Sequence, residues 1–168
     1  MSKKLAPLPF VQAVWRSFRA ESGLEPRLLG DHFRITAAQP GKVDFELHIQ
    51  KQHTNRLSII HGGTIASIVD LGGSLAVAST GRFATGVSTD INVSYLSGGG
   101  KIGDILKGHA SCDKIGKTLA YTSVQFWNSQ GQLAARGSHT KYVANTLKDK
   151  EAAFEAPVEF ADAKPEQD

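Results

Sequence analysis

The chain has 168 residues, of which 40% are hydrophobic and 21% charged, and its formal net charge is +3 at pH 7. This composition is ordinary for a single globular domain that buries a sizeable core. No block of lysine and arginine marks a nucleic-acid surface, no apolar run approaches membrane-spanning length, and a single cysteine, Cys112, excludes an internal disulfide.

The first 20 residues are basic and contain no acidic side chain. Such a segment has two interpretations, an organelle transit peptide or a surface helix over residues 9–20. The helix is favoured, because four large apolar side chains recur at helical spacing on one side: Phe10, Val14, Trp15 and Phe18.

Two strands joined by a tight turn are predicted next, over residues 27–38 and 42–50. Gln39-Pro40-Gly41 is the turn signal between them. The second strand alternates apolar and polar residues, which predicts one buried face and one exposed face. A loop over residues 51–60 then leads to a helix predicted over residues 62–80.

This helix is apolar on almost every side, and Asp70 is its only charged residue. A helix of this kind is normally buried, and a carboxylate on it is costly unless it is paired or used in chemistry. Gly62-Gly63 at its start predicts unpaired backbone N–H groups that can hold a polarised carbonyl, or simply a tight entry into the helix. For Asp70 the alternative is a buried acid paired with a backbone donor or an arginine.

Four more strands are predicted after the helix, over residues 84–96, 102–115, 119–127 and 132–143. One long helix early in a series of meandering strands predicts an α+β fold, with an antiparallel sheet wrapped around that helix. Cys112 lies in the second of these strands and is interpreted as a buried structural thiol. From Asn145 the chain has three lysines and seven acidic residues, and we predict a frayed or loosely docked tail there.

Several motifs in this order resemble the phenylacetate-type acyl-CoA thioesterases, which have the hotdog fold. They are His53-Thr54-Asn55, His61-Gly62-Gly63, Asp70, the segment 86–92, the segment 116–120 and His139-Thr140-Lys141. The resemblance covers roughly residues 27–143. It divides the chain into an N-terminal helix and lead-in (1–26), a hotdog thioesterase domain (27–144) and an acidic tail (145–168). The chain departs from the family at Ser97–Gly100, where a shorter turn with proline is usual.

The resemblance implies roles for five residues in thioester hydrolysis. Asp70 is the general base or nucleophile, the N–H of Gly62 binds the thioester carbonyl, and Ser88 holds the attacking water. Asn55 helps to position the thioester, and His61 either bonds to the carbonyl or caps the helix. No Gly-x-Ser-x-Gly elbow surrounds Ser88, so we reject a serine nucleophile.

A hairpin tip is the predicted contact for the CoA end of the substrate. It has two cations and exposed backbone N–H groups, which suit a phosphate or the pantetheine arm, although a solvated turn has the same composition. Its residues are Lys114, Ile115, Gly116, Lys117, Thr118 and Leu119. Asp90 and Tyr95 lie where the family contacts pantetheine.

The spacing of the two proposed chemical groups predicts a site shared between chains. Gly62 and Asp70 are eight residues apart, which is about 12 Å along a helix axis. A general base must lie within about 3 Å of the water it deprotonates, so one helix cannot easily supply both groups to one carbonyl. Two antiparallel helices from two chains can, which predicts a homodimer as the minimum active unit; the family resemblance extends this to a homotetramer.

The predicted function is therefore hydrolysis of acyl-CoA to a free acid and CoA. Two alternatives stay open, a hotdog dehydratase or hydratase acting on 3-hydroxyacyl thioesters, and a non-catalytic acyl-CoA binding protein. No metal and no separate cofactor are expected, because the histidines show no metal-binding spacing and CoA belongs to the substrate. The other expectations are no nucleic-acid partner, no membrane span and a cytoplasmic or mitochondrial location.

Overall fold

The computed structural model of the chain describes residues 1–163, which form four α-helices, eight strands and two short 3-10 helices (Gly30–His32 and Lys51–His53). The helices are α1 (Pro7–Glu21), α2 (Leu24–Leu28), α3 (Gly62–Ala78) and α4 (Val158–Ala161). The strands are β1 (Ser2–Lys4), β2 (Phe33–Gln39), β3 (Lys42–His48), β4 (Val87–Tyr95), β5 (Ile105–Ile115), β6 (Leu119–Trp127), β7 (Leu133–Tyr142) and β8 (Glu155–Pro157). None of these helices is both long and apolar enough to cross a membrane.

The main sheet has six antiparallel strands in the order β2-β3-β5-β6-β7-β4, and it curves around α3. Helix α3 packs on β3, β4, β5, β6 and β7, and twelve of its residues are buried. The predicted α+β fold with a long central helix is confirmed. Strands β2 and β4 are the two edges of the sheet.

Helix α1 completes the core with the apolar face that its periodicity predicts. Phe10, Val14 and Trp15 are buried in the same cluster as the apolar side chains of α3 and the sheet. Trp15 packs edge-on against Phe33 with ring centroids 5.1 Å apart. The helix interpretation of this segment is confirmed. The division of the chain at residues 26 and 144 stays a prediction.

The first predicted strand begins later than expected, because residues 24–32 are helical. Pro26 lies in the first turn of α2, where a missing N–H costs nothing, and Leu24 and Leu28 have the i, i+4 spacing of one helix face. Gly30 has φ +53°, a conformation that favours glycine, and the strand starts only at Phe33. The predicted strand over residues 27–38 is therefore wrong for its first six residues.

The tail is not frayed over the residues that the structure describes. Strand β8 pairs antiparallel with β1, and Ala156 is completely buried. The Phe154 ring packs edge-on against Phe10 of α1 with centroids 5.3 Å apart. The prediction of a loose tail is wrong for residues 145–163, because apolar residues dock this segment on α1; residues 164–168 lie outside the described part. Cys112 is half-buried rather than buried, and burial raises the pKa of its thiol.

A buried histidine, His53, fixes the loop that leads into α3. Its Nδ1 accepts a hydrogen bond of 2.9 Å from the N–H of Gln50, and its Nε2 lies 2.7 Å from the carbonyl of Leu28. The carbonyl of His53 accepts from the N–H of His61 and from the hydroxyl of Thr64. One neutral ring thus ties α2 to the start of α3. Burial lowers the pKa of His53 from its ordinary value of 6.5, against the carbonyl of Leu28, which raises it.

Because burial lowers the pKa of His53, we expect acid to destabilise the fold. Below pH 6.5 the unfolded chain binds a proton on His53 that the folded chain does not bind. The free energy of unfolding therefore decreases as the pH falls below 6.5, and the decrease ends once the pH is below the lowered pKa of folded His53. One histidine of this kind changes the free energy of unfolding by at most about 1.4 kcal/mol per pH unit. Urea unfolding between pH 8 and 5 should show this loss, and the slope should be smaller in His53→Leu. Equal slopes in the two proteins would contradict the prediction.

Candidate active site

The first turn of α3 presents one unused hydrogen-bond donor. The N–H of Gly63 donates to Nδ1 of His61 at 2.7 Å. The N–H groups of Thr64 and Ile65 donate to the carbonyl of His61 at 2.9 and 3.2 Å. The N–H of Gly62 has no acceptor among residues 1–163. The ring of His61 caps the helix through Nδ1, which is one of the two roles expected for it, and this arrangement leaves the Gly62 donor available.

Tyr95 holds the same helix end against the edge strand. Its hydroxyl donates to the carbonyl of Gly62 at 2.6 Å. A Cβ on Gly62 would lie 3.3 Å from the Tyr95 ring, tighter than nearly all real contacts of this kind. Glycine at position 62 therefore leaves room for the close contact with Tyr95.

A second group of polar side chains lies two turns further along α3. Ser88 on β4 makes a long hydrogen bond of 3.5 Å to Oδ2 of Asp70, and its Oγ lies 2.8 Å from Nε2 of His139 on β7. Asp70 is half-buried and His139 is fully buried. A carboxylate, a hydroxyl and an imidazole thus meet at one point, where they can orient a water molecule and accept its proton.

Gly73 allows α3 to approach β7 closely enough to form this group. Asp70, Gly73 and Ser74 lie on one face of the helix, because residues i, i+3 and i+4 share a face. A Cβ on Gly73 would lie 2.5 Å from Nδ1 of His139 and 2.5 Å from Oγ1 of Thr122. Any side chain at position 73 would therefore push the imidazole away from Ser88.

The electrostatics of the group favour a neutral His139. Burial is the largest cause that lowers the pKa of its imidazole, and the positive charge of Lys141 lowers it further, whereas Asp70 raises it. Sequence reasoning gave neither His139 nor Lys141 a role. The sequence marked both residues only through the motif His139-Thr140-Lys141, and the fold is needed to show that they lie at inward positions of β7, where apolar side chains are the rule.

A pocket of about 250 Å³ opens beside Asp70. Its walls come mainly from the apolar side chains of α2 and from the neighbouring faces of α3 and β4. The lining residues are Leu24, Glu25, Leu28, Leu29, Ala66, Ser67, Asp70 and Ile91. Sequence analysis missed this wall, because it predicted no helix over residues 24–28 and began a strand at residue 27.

Asn55 takes part in the loop before α3. Its Oδ1 accepts hydrogen bonds from the N–H groups of Leu57 and Ile59, at 2.9 and 3.4 Å. In this chain the side-chain oxygen therefore shapes a turn, as asparagine commonly does.

The predicted CoA-binding residues lie at the surface. Asp90 is exposed on β4, opposite Thr140. The tip between β5 and β6 exposes both of its lysines. A row of paired residues runs from this tip across the sheet through Ile115, Ala120, Lys141 and Ser88. At about 4.8 Å per strand, the tip lies roughly 14 Å from Ser88.

The N–H of Gly62 and the polar side chains around Asp70 do not meet within one chain. Tyr95 marks the Gly62 end of β4 and Ser88 marks the Asp70 end, seven residues away. Among the strands of residues 1–163, β4 pairs with β7 alone, and its outer edge is exposed. Both parts of the candidate site therefore lie along the outer edge of one strand, β4.

Comparison with known proteins identifies similar chains. The Thioesterase superfamily profile matches residues 57–135. A putative esterase of Schizosaccharomyces pombe is 45% identical over 84% of this chain and 88% of its own length. Human acyl-coenzyme A thioesterase 13 is 42% identical over 71% of this chain and 84% of its own length. The crystal structure of zebrafish thioesterase superfamily member 2 aligns with a TM-score of 0.75 and 36% identity, over 83% of this chain and 99% of that chain.

The close approach at Gly73 predicts different effects of alanine at two adjacent helix positions. Gly73→Ala should destabilise the protein by about 1–3 kcal/mol, because the methyl group overpacks against His139 and Thr122. At Gly72 the added Cβ meets Val124 at 3.2 Å, and the helix propensity of alanine offsets that cost. Gly72→Ala should therefore stay within about 1 kcal/mol of the wild type in urea unfolding. Equal losses in the two variants would show that the Gly73 contact is not special.

Proposed function

This chain belongs to the thioesterase superfamily, and on that premise we propose that it hydrolyses acyl-CoA to a free acid and CoA. The observation that carries the proposal is the free N–H of Gly62 at the start of a buried helix whose only charged residue is Asp70. One group can stabilise negative charge on a carbonyl oxygen and the other can accept a proton from water. These are the two requirements of thioester hydrolysis.

The N–H of Gly62 binds the thioester oxygen. The N-terminus of α3 carries a partial positive charge, and the donor does not need to leave another acceptor when the substrate arrives. As water attacks, charge grows on this oxygen and the hydrogen bond strengthens. Donors placed in advance in this way contribute most where charge develops in the transition state.

Asp70 acts as the general base and Ser88 holds the water. The carboxylate takes one proton from water while the oxygen of that water forms a bond to the carbonyl carbon. The tetrahedral intermediate then collapses, the carbon–sulfur bond breaks, and Asp70 returns the proton to the CoA thiolate. We propose a base rather than a nucleophile, because the hydroxyl of Ser88 next to the carboxylate gives water a second partner.

The complete site forms when two chains pair through β4. In antiparallel pairing of two identical strands about a two-fold axis, the start of one strand lies opposite the end of the other. Pairing centred between Ile91 and Asn92 therefore brings Ser88 and Asp70 of one chain towards Tyr95 and Gly62 of the partner. The homodimer is the minimum active unit, and the homotetramer implied by the family resemblance is a pair of such dimers.

The remaining residues bind the substrate. Lys114 and Lys117 at the hairpin tip meet the phosphates of CoA, with the backbone of residues 115, 116, 118 and 119 beside them. Asp90 and Tyr95 contact the pantetheine arm, and Asn55 and His61 shape the loop that borders the thioester. The pocket of about 250 Å³ beside Asp70 takes the acyl group, because its walls are mostly apolar.

The proposed reaction uses no metal and no separate cofactor, because Asp70 and Gly62 supply the base and the oxyanion donor. We place the protein in the cytoplasm or the mitochondrion. A 3-hydroxyacyl-thioester dehydratase or hydratase and a non-catalytic acyl-CoA binding protein are the alternatives. Release of free thiol from a panel of acyl-CoA substrates separates the three functions, because only the hydrolase liberates CoA.

Asp70→Asn should lower kcat by about 10²-fold or more, because it removes the base and keeps the shape of the side chain. Binding of a non-hydrolysable acyl-CoA analogue should be unchanged. The matched control is Asp113→Asn, which makes the same change on the exposed face of β5 and should leave turnover intact. Near-normal turnover in folded Asp70→Asn would refute the role of Asp70.

A shared site predicts that two inactive variants complement each other. Asp70→Asn damages the base, and Gly62→Val blocks the oxyanion donor. A mixed dimer of the two should recover activity, because one of its two sites keeps both groups intact. Asp70→Asn mixed with Ser88→Ala is the control, since both changes affect the same half of each site and should not complement. If subunits exchange and the first pair stays inactive, the shared-site geometry is wrong.

A further inference from the structure

Lys141 is a buried cation that the reaction described above does not use. Its exposed fraction is 3%, and its Nζ donates a hydrogen bond of 2.9 Å to Oγ of Ser74. No carboxylate of residues 1–163 lies within ion-pair distance of this nitrogen. A lysine is almost never buried unless it is paired, because its charged form loses the solvation of water. An unpaired buried ammonium inside the core therefore requires a reason.

The position of Lys141 places it beside the polar group at Asp70. Lys141 and His139 are two residues apart on β7 and point to the same inner face. Ser74, the partner of Lys141, is one helical turn beyond Asp70 on α3. Lys141 also lies directly opposite Ser88 in the β4–β7 pairing. Lys141 thus lies on the same inner face of the sheet, and next to the same helix, as the groups that we assign to water activation.

Two titratable groups face Lys141 across these elements. Helix α3 contributes Asp70, whose negative charge raises the pKa of Lys141, and β7 contributes His139. Strand β4 contributes the hydroxyl of Ser88, and β6 contributes Ala120 opposite Lys141. Burial is the larger influence on Lys141 and lowers its pKa. The charge balance of the group thus depends on one cation, one carboxylate and one imidazole.

We propose that Lys141 is a positioning residue for thioester hydrolysis, whose ammonium, anchored by Ser74, keeps the imidazole of His139 uncharged beside Ser88. This inference rests on the proposed function. The positive charge of Lys141 disfavours a second cation on the imidazole of His139.

The surroundings of His139 also disfavour a charged imidazole. Its Nδ1 is buried and has no partner with hydrogen-bond geometry among residues 1–163. The carbonyls of Val69 and Asp70 lie near the ring and favour protonation, but neither makes such a bond. An imidazolium would therefore carry a poorly satisfied Nδ1–H in the core, and a charged Lys141 adds to that cost. A neutral ring leaves the negative charge of Asp70 available to the water held by Ser88.

This role separates the effect of Lys141 on activity from its effect on stability. Replacing a buried charge by an apolar side chain of similar size is often neutral or stabilising. Lys141→Met should therefore fold at least as well as the wild type, and yet it should be a poorer catalyst at low pH. A residue that only supports the fold would show the opposite pattern.

The first test follows His139 by NMR titration of its ring nitrogens and does not depend on activity. The midpoint should rise by half a pH unit or more in Lys141→Met. It should be unchanged in Lys141→Arg, which keeps the charge, and in Lys107→Met, which removes an exposed lysine from β5. Lys141→Gln can still bond to Ser74 and repeats the measurement if the methionine variant fails to fold. A midpoint that stays in place in folded Lys141→Met or Lys141→Gln overturns the proposal.

The second test measures kcat/KM against pH for the same variants. The acidic limb of the profile should move to higher pH in Lys141→Met, with kcat affected more than KM, and Lys141→Arg should restore it. An unmoved limb with normal activity overturns the role of Lys141 and leaves thioesterase activity established. A wild-type protein that releases no CoA from any substrate refutes the proposed function, while the NMR result still decides whether Lys141 sets the charge of its neighbours.

Discussion

The packing of the Gly73 backbone against the ring of His139 is the contact on which the site depends. It brings α3 so close to β7 that no side chain fits between them. Asp70 and Ser74 are carried on the same helix face, and Ser88 reaches both Asp70 and His139 from the neighbouring strand. A helix displaced by the width of a methyl group would separate these groups. The rest of the apolar core, including the rings that join α1 to the sheet, holds the helix at this distance.

The polar groups in this core oppose the forces that stabilise the rest of the fold. Apolar burial favours folding, whereas desolvation penalises both the imidazole of His139 and the ammonium of Lys141. Within residues 1–163 their side chains form hydrogen bonds with the hydroxyl groups of Ser88 and Ser74, and a hydroxyl does not compensate a buried charge fully. Such an arrangement is typical of a functional site, because selection for activity can retain groups that packing alone would replace.

Much of the architecture could be predicted from local patterns. Alternation in β3 and the glycine turn before it gave the hairpin, and an apolar helix with one charge gave α3 and its carboxylate. Helix α2 was not predicted, because five residues show too little periodicity to distinguish one helical turn from the start of a strand. The burial of His139 and Lys141 was not predicted, because polar residues at alternate positions of a strand normally mark its exposed face. Only the packing of α3 shows that this face is the inner one.

The pairing of β1 with β8 joins two segments that the ribosome synthesises far apart in time. The Ser2 hydroxyl donates to Glu155, 153 positions later in the chain. A ribosome that adds about 5–20 residues per second makes the second of these roughly 8–30 seconds after the first. During that interval the face of α1 that later meets Phe154 has no cover from the C-terminal segment. The nascent chain therefore leaves this apolar face of α1 uncovered until residues 154–157 have been synthesised, and slow translation would lengthen its exposure to aggregation and to chaperones.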